Sequence, residues 1–207
     1  MSKDFFTDNR IYNGLGYQQY LEEWDRLLKE TDPDELNEVE TNFYNYRKLN
    51  RQRTSRIHKT YKVSEDLKSH LNNLDDKQIW MVLTENWCGD SAQTLPYIAE
   101  LANTSDNIEL RILYRDENLD IMDQYLTNGK SRSIPKLVSF DEDGNELFQW
   151  GPRPKEAQSL VSEEISKGRE KHDVYQDLHL WYNKNKGKAI EDEFRTLLET
   201  VQNSTKV

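Results

Sequence analysis

Gln78-Ile79-Trp80-Met81-Val82-Leu83-Thr84-Glu85-Asn86-Trp87-Cys88-Gly89-Asp90-Ser91 sets the frame for the whole chain. It begins as an apolar run of strand length, Gln78 to Leu83, too short for a buried helix. It ends in a turn, Trp87 to Ser91, that carries the single cysteine of the sequence. Beyond the turn, Leu95, Ile98, Ala99 and Leu101 recur at helical spacing, with Pro96 inside the helix as a kink. Ile108 to Tyr114 alternates as a second strand, and Asn118 to Leu126 makes a short helix that stops at Asn128-Gly129. Pro135 precedes a third strand, Lys136 to Phe140. Asp141 to Asn145 is a hairpin turn, and Glu146 to Trp150 is the return strand. Pro154 opens a further helix, with Ala157, Leu160, Val161 and Ile165 inward and Gly168 as its stop. The order strand, helix, strand, helix, strand, strand, helix describes an α/β domain on a mixed sheet, one half a parallel crossover and the other an antiparallel hairpin.

Outside this block the sequence reads as helical. Tyr17, Tyr20, Leu21, Trp24, Leu27 and Leu28 share one helical face. Thr31-Asp32-Pro33-Asp34 breaks that helix and starts another, in which Leu36, Val39, Phe43 and Tyr46 recur at spacings of three and four. A basic stretch follows, Arg47 to Lys62, with seven Lys or Arg and no acid. A third helix starts at Ser64-Glu65-Asp66, a cap and an acidic first turn. After residue 168, Tyr175, Leu178, Trp181 and Tyr182 form one helical segment. Ile190, Phe194, Leu197, Leu198 and Val201 form another. The expected organisation is an N-terminal helical extension over residues 1–75, a core domain over 76–168 and a C-terminal helical extension over 169–207.

The 207 residues are 35% hydrophobic, low enough to suggest disorder, but 11 Tyr, 6 Phe and 5 Trp point to a small core wrapped in solvated helices. The net charge of -10 argues against a nucleic-acid or anionic-membrane binder. The basic run admits nucleic acid but lacks interleaved aromatics and has acidic helices such as Asp32 to Glu40 to pair with, so no nucleic-acid partner is expected. There is no apolar run of membrane-spanning length, and Met1 to Asp8 has no apolar core of a secretory signal. One cysteine excludes an internal disulfide, which makes the cytosol the expected compartment. Four scattered histidines and one cysteine show no metal-ligand spacing, and neither a metal nor a cofactor is expected.

A strand ending in W-C-x-x-[CS], a Pro-kinked helix and a later S-I-P before a hairpin resemble the thioredoxin superfamily over roughly residues 76–168. Pro96 lies where thioredoxins kink this helix, and Asp116 with Asn118 matches their D-x-N. Pro135 after Ile134 matches the cis-proline facing the active-site turn, and Gly151 matches the glycine of the same groove. Arg115 to Asn118, Leu126 to Gly129, Ser133 to Lys136 and Trp150 to Pro154 are similar to a bacterial subfamily of the superfamily that has helical extensions.

The resemblance implies thiol–disulfide chemistry with a protein or low-molecular-weight thiol as partner. Cys88 is the nucleophile, and Ser91 with the N-terminus of the following helix stabilises its thiolate. Asp90 opposes that effect as a like charge, so moderate activation is expected. Trp87, Gly89, Asp90, Ser133, Ile134, Pro135, Trp150 and Gly151 are expected along the substrate groove. Arg132 and Lys130 are expected near the sulfur, and Glu85 and Asn86 as solvated residues beside the turn. Two departures fall on the same half-reaction. Ser91 stands in place of the resolving cysteine, and Val82 in place of a buried acid. A dithiol reductase is therefore not expected; a single-cysteine exchange with an external resolving thiol is. A peroxiredoxin needs threonine three residues before its cysteine, whereas Thr84 is four before. The C-G-x-S turn is also similar to cluster-binding monothiol glutaredoxins, but Trp87 and the surrounding sequence differ from theirs. The other reading is a non-catalytic module that uses the cis-proline groove to hold a protein or peptide.

Overall fold

The computed structural model describes residues 3–204; residues 1–2 and 205–207, at the ends of the two expected extensions, lie outside the described residues. In chain order the helices and strands are α1 (Asp4–Thr7), α2 (Tyr17–Glu30), α3 (Glu38–Thr60), α4 (Glu65–Asn72), β1 (Gln78–Thr84), α5 (Gly89–Ala102), β2 (Ile108–Tyr114), α6 (Leu119–Met122), β3 (Lys136–Phe140), β4 (Glu146–Trp150), α7 (Lys155–Ser166), α8 (Lys171–Asn185) and α9 (Lys188–Ser204). The sheet runs β2-β1-β3-β4, with β1 parallel to β2 and both other pairs antiparallel. This is the mixed α/β sheet expected from the sequence, flanked by helices, with more helices at both termini.

Every residue of β1 is buried, because this central strand is covered on both faces. Trp80 and Val82 face a large core shared with α2, α4, α5 and α9, where Tyr20, Trp24, Leu67, Leu95, Phe148 and Phe194 are also buried. Ile79, Met81 and Leu83 face a second core with Val138, Phe140, Ile121, Met122 and Tyr125. Phe5 and Phe6, from the extreme N-terminal segment, fill the same core, with Phe6 edge-on to Phe140 at 5.0 Å between centroids. Leu15 then bridges Ile112 antiparallel, so the open edge of β2 is partly covered. A third cluster, Ala157, Val161, Val174, Leu178 and Tyr182, joins α7 to α8.

In the N-terminal half of α3 helical spacing of apolar residues does not bring burial. Val39, Phe43, Tyr46 and Leu49 are exposed, and the buried residues of α3 are Asn50, Thr54 and Ile57. The helix is capped at Asn37, whose side chain and that of Glu40 exchange hydrogen bonds with each other's backbone N–H. All its buried residues lie in its second half, while from the first half Phe43 meets Trp87 edge-on and Arg47 reaches Asn86. The basic run inside it meets different acids from those expected: Arg51 pairs with Asp25 and His58 with Glu100.

Candidate thiol site at the start of helix α5

The apolar drive that buries β1 fixes where Cys88 must sit. The strand ends at Thr84, and two buried residues carry the chain into the turn. Glu85 accepts from the Asp116 N–H at 3.0 Å; Asn86 accepts from Arg47 Nε at 2.8 Å and, through its carbonyl, from Asn50 Nδ2 at 3.2 Å. Both are nearly inaccessible, which corrects the expectation that they are solvated. Burial pushes the Glu85 carboxyl above its ordinary range, and the Asp116 N–H pulls the other way.

Cys88 is the residue at which α5 begins, and it keeps part of its surface open. Its thiol donates to the Ile134 carbonyl oxygen at 3.3 Å. The Ile134-Pro135 peptide is cis, as is Gly151-Pro152. Ile134 and Pro135 are buried, while Ser133 is half-buried and shares a hydrogen bond with Ser131 at 2.7 Å. Gly151 has φ +114, and a Cβ there would meet the Pro135 carbonyl oxygen at 2.2 Å, so only glycine fits. Trp87 packs between Phe43, edge-on at 5.6 Å, and the Arg115 guanidinium, 5.2 Å from the ring centroid.

The electrostatics overturn the expected activation of the thiol. Burial, and then the like charge of Asp90, push the Cys88 thiol up to about 11. The Ser91 hydroxyl and the backbone N–H groups of Ser91 and Asp90 pull it down, as expected, but they lose. Ser91 accepts from Thr84 Oγ1 at 2.7 Å inside the fold, which leaves its own hydrogen available to the sulfur. The helix N-terminus is legible in the motif; the desolvation of a sulfur packed against the second core is not.

Asp90 is not a solvated neighbour. Its side chain is 11% exposed and forms an ion pair with Arg153, itself 12% exposed. The Tyr182 hydroxyl donates to its other oxygen at 2.8 Å. Burial moves the Asp90 carboxyl up, and Arg153 and Tyr182 counter that shift. Next to it, the ring of His179 stands 3.3 Å from where a Gly89 Cβ would be, with Arg53 Nη1 at 3.8 Å. Burial and Arg53 push His179 down to about 4, so its imidazole is neutral near pH 7. The turn is thus held between α3 and α8.

Of the expected groove residues, one is turned into the core and another is held by an acid. Trp150 is buried in the large core against Phe194, with Nε1 donating to Glu193 at 2.6 Å, because the alternation of β4 turns it toward α9. The Arg132 guanidinium forks onto Asp123 at 2.6 and 2.7 Å, engaged by that carboxylate and not by the thiol. Conversely, Arg53, Arg153, His179 and Tyr182 are brought to the turn although the sequence analysis gave them no role there. Arg153 was visible only as part of the Trp150 to Pro154 motif.

A single thiol at the start of a helix, opposite a cis-proline and beside a sheet of order β2-β1-β3-β4, defines a thioredoxin-type site with one cysteine. Residues 37–171 match the family model described as thioredoxin, and the chain belongs to the thioredoxin family. The match takes in α3 as well as the sheet. A crystal structure of a protein of unknown function from Pseudomonas aeruginosa is 16% identical with a TM-score of 0.56, covering 94% of this chain and 95% of that one. An HIV epitope-scaffold is 17% identical with a TM-score of 0.57, covering 94% and 97%. These likenesses show the fold, terminal helices included. No curated protein matches the chain. Among the described residues no helix is long and apolar enough to cross a membrane.

Proposed function

We propose that the protein carries out single-thiol exchange in a reducing cytosol, with Cys88 as nucleophile and an external low-molecular-weight thiol as resolving agent. The supporting observation is the position of Cys88: a residue short of full burial, at the N-terminus of α5, with Sγ 3.3 Å from the carbonyl that precedes Pro135. Cys88 gives its proton to solvent, and its thiolate attacks one sulfur of a disulfide. That S–S bond breaks, a thiolate leaves, and a mixed disulfide forms on Cys88. A second thiolate from solution then attacks the bound sulfur and returns Cys88 as thiolate, so no net oxidation of the protein occurs. Ser91 holds the developing charge with its hydroxyl, and the backbone before Pro135 positions the partner once the thiol lets go of the Ile134 carbonyl.

The raised thiol favours a second reading, a binding module in which Cys88 is only a packed polar group. Incubation with a small disulfide at pH 9, followed by intact mass, separates the two. The exchange reading expects one adduct on Cys88 that persists until an external thiol is added and is absent from Cys88→Ser. Lack of an adduct over hours would leave the binding reading in its place.

A further inference from the structure

Behind the turn, the end of α3, the middle of α5 and the α8–α9 connection enclose a cleft of about 630 Å³. Arg56, Lys62, Lys186 and Lys188 line it against one carboxylate, Glu191. That carboxylate is engaged already: it accepts from the Tyr61 hydroxyl at 2.6 Å and from the Ser64 N–H at 3.1 Å. Lys188 is paired with Asp192 at 2.6 Å. Arg56, Lys62 and Lys186 have no ion-pair partner among the described residues. Three unpaired cations around one cleft stand out in a chain with a net charge of -10.

Two other features agree with the charge. The first turn of the 17-residue helix α9, with Lys188 in it, opens on the cleft, so the positive end of its dipole adds to the lysines. The rings of Tyr61 and Tyr97 meet edge-on at 4.5 Å and supply an apolar wall, and the Tyr97 hydroxyl has no hydrogen-bond partner among the described residues. Gly187 is needed for this shape, since a Cβ there would stand 2.3 Å from the Tyr97 ring.

We propose that this cleft binds a phosphorylated small molecule, the phosphate among Arg56, Lys62 and Lys186 and the organic part against Tyr61 and Tyr97. Cleft volume suits a metabolite-sized ligand. A dianionic phosphate offers several oxygens to cations that line the cleft from different elements, where a lone carboxylate would satisfy fewer of them. The site also touches the thiol indirectly. Tyr182 lines the cleft and donates to Asp90, and Tyr97 is nine residues along α5 from Cys88, about 13 Å at the helical rise.

The plain alternative is that Arg56 and Lys62 complement the C-terminal dipole of α3, and Lys186 that of α8, with no ligand. Calorimetric titration of the full chain with pyrophosphate, ADP and citrate at low salt decides between them. Arg56→Gln/Lys62→Gln serves as the variant, because both side chains are exposed and its melting curve confirms the fold. Pyrophosphate and ADP are expected to bind with Kd on the order of 10⁻⁴ M, to weaken at least about tenfold in the variant, and to exceed citrate by about tenfold. No phosphate binding, binding untouched by the variant, or citrate binding as tight as pyrophosphate overturns the proposal. The readout does not involve Cys88, so its result stands apart from that of the exchange reaction.

Discussion

Replacing Asp90 with Asn removes one of the two causes that keep the Cys88 thiol protonated and leaves the other in place. A thiol at about 11 in place of 9.0 carries about a hundredth of the thiolate at pH 7. A more basic thiolate attacks better, with a Brønsted coefficient of roughly 0.4–0.5, which returns about 6- to 10-fold over that interval. Wild-type protein is therefore expected to react with dithiodipyridine about 10- to 15-fold more slowly at pH 7 than an unperturbed cysteine. Its rate should climb with pH to a midpoint near 11. In Asp90→Asn the like charge is gone, and Arg153 loses its acid. The midpoint should fall and the rate at pH 7 rise, by less than the full deficit, because burial is the larger cause and remains. The amide still accepts from Tyr182, so α8 stays on the turn. Breaking a buried ion pair outright costs about 3–5 kcal/mol, and near-UV circular dichroism must first show that the variant is folded. A wild-type midpoint at or below 9.0, or an unchanged midpoint in a folded Asp90→Asn, would refute this account of the thiol.

His179 makes a second titration testable. A base whose pKa in the fold is lowered from 6.5 to about 4 contributes stability that is complete above pH 6.5 and is lost as pH falls toward 4. Chemical denaturation should show a larger loss between those two pH values for wild type than for His179→Gln; equal losses would contradict it. At Gly151, with φ +114 and the Pro135 oxygen 2.2 Å from a would-be Cβ, Ala should cost about 2–4 kcal/mol in denaturant unfolding. A cost below about 1 kcal/mol would show that the turn relaxes freely.

The sheet was legible because its signals are local. Gln78 to Leu83 is apolar without interruption since β1 is covered on both faces, and Glu146 to Trp150 returns across a turn of fixed chemistry. What periodicity does not carry is which partner a face meets. Val39, Phe43 and Tyr46 have helical spacing, yet they precede the part of α3 that reaches α5 and stay exposed. Trp150 belongs to a strand correctly placed, but its side depends on the register Leu137 with Trp150 and on α9 arriving beside it.

The environment of Cys88 was illegible for the same reason, and this bears on what the flanking helices are for. Asp90 meets Arg153 and Tyr182, which are 63 and 92 residues away, and Asn86 meets Arg47 and Asn50 from the other side. A five-residue motif read alone contains the helix N-terminus that lowers a thiol pKa; it does not contain the core residues that bury the sulfur. With α3 anchoring Asn86 and α8 anchoring Asp90, the flanks hold the start of the turn and the first turn of α5 separately. The like charge beside Cys88 is thus held in place by Tyr182 of α8 and by Arg153, residues that the turn motif does not contain.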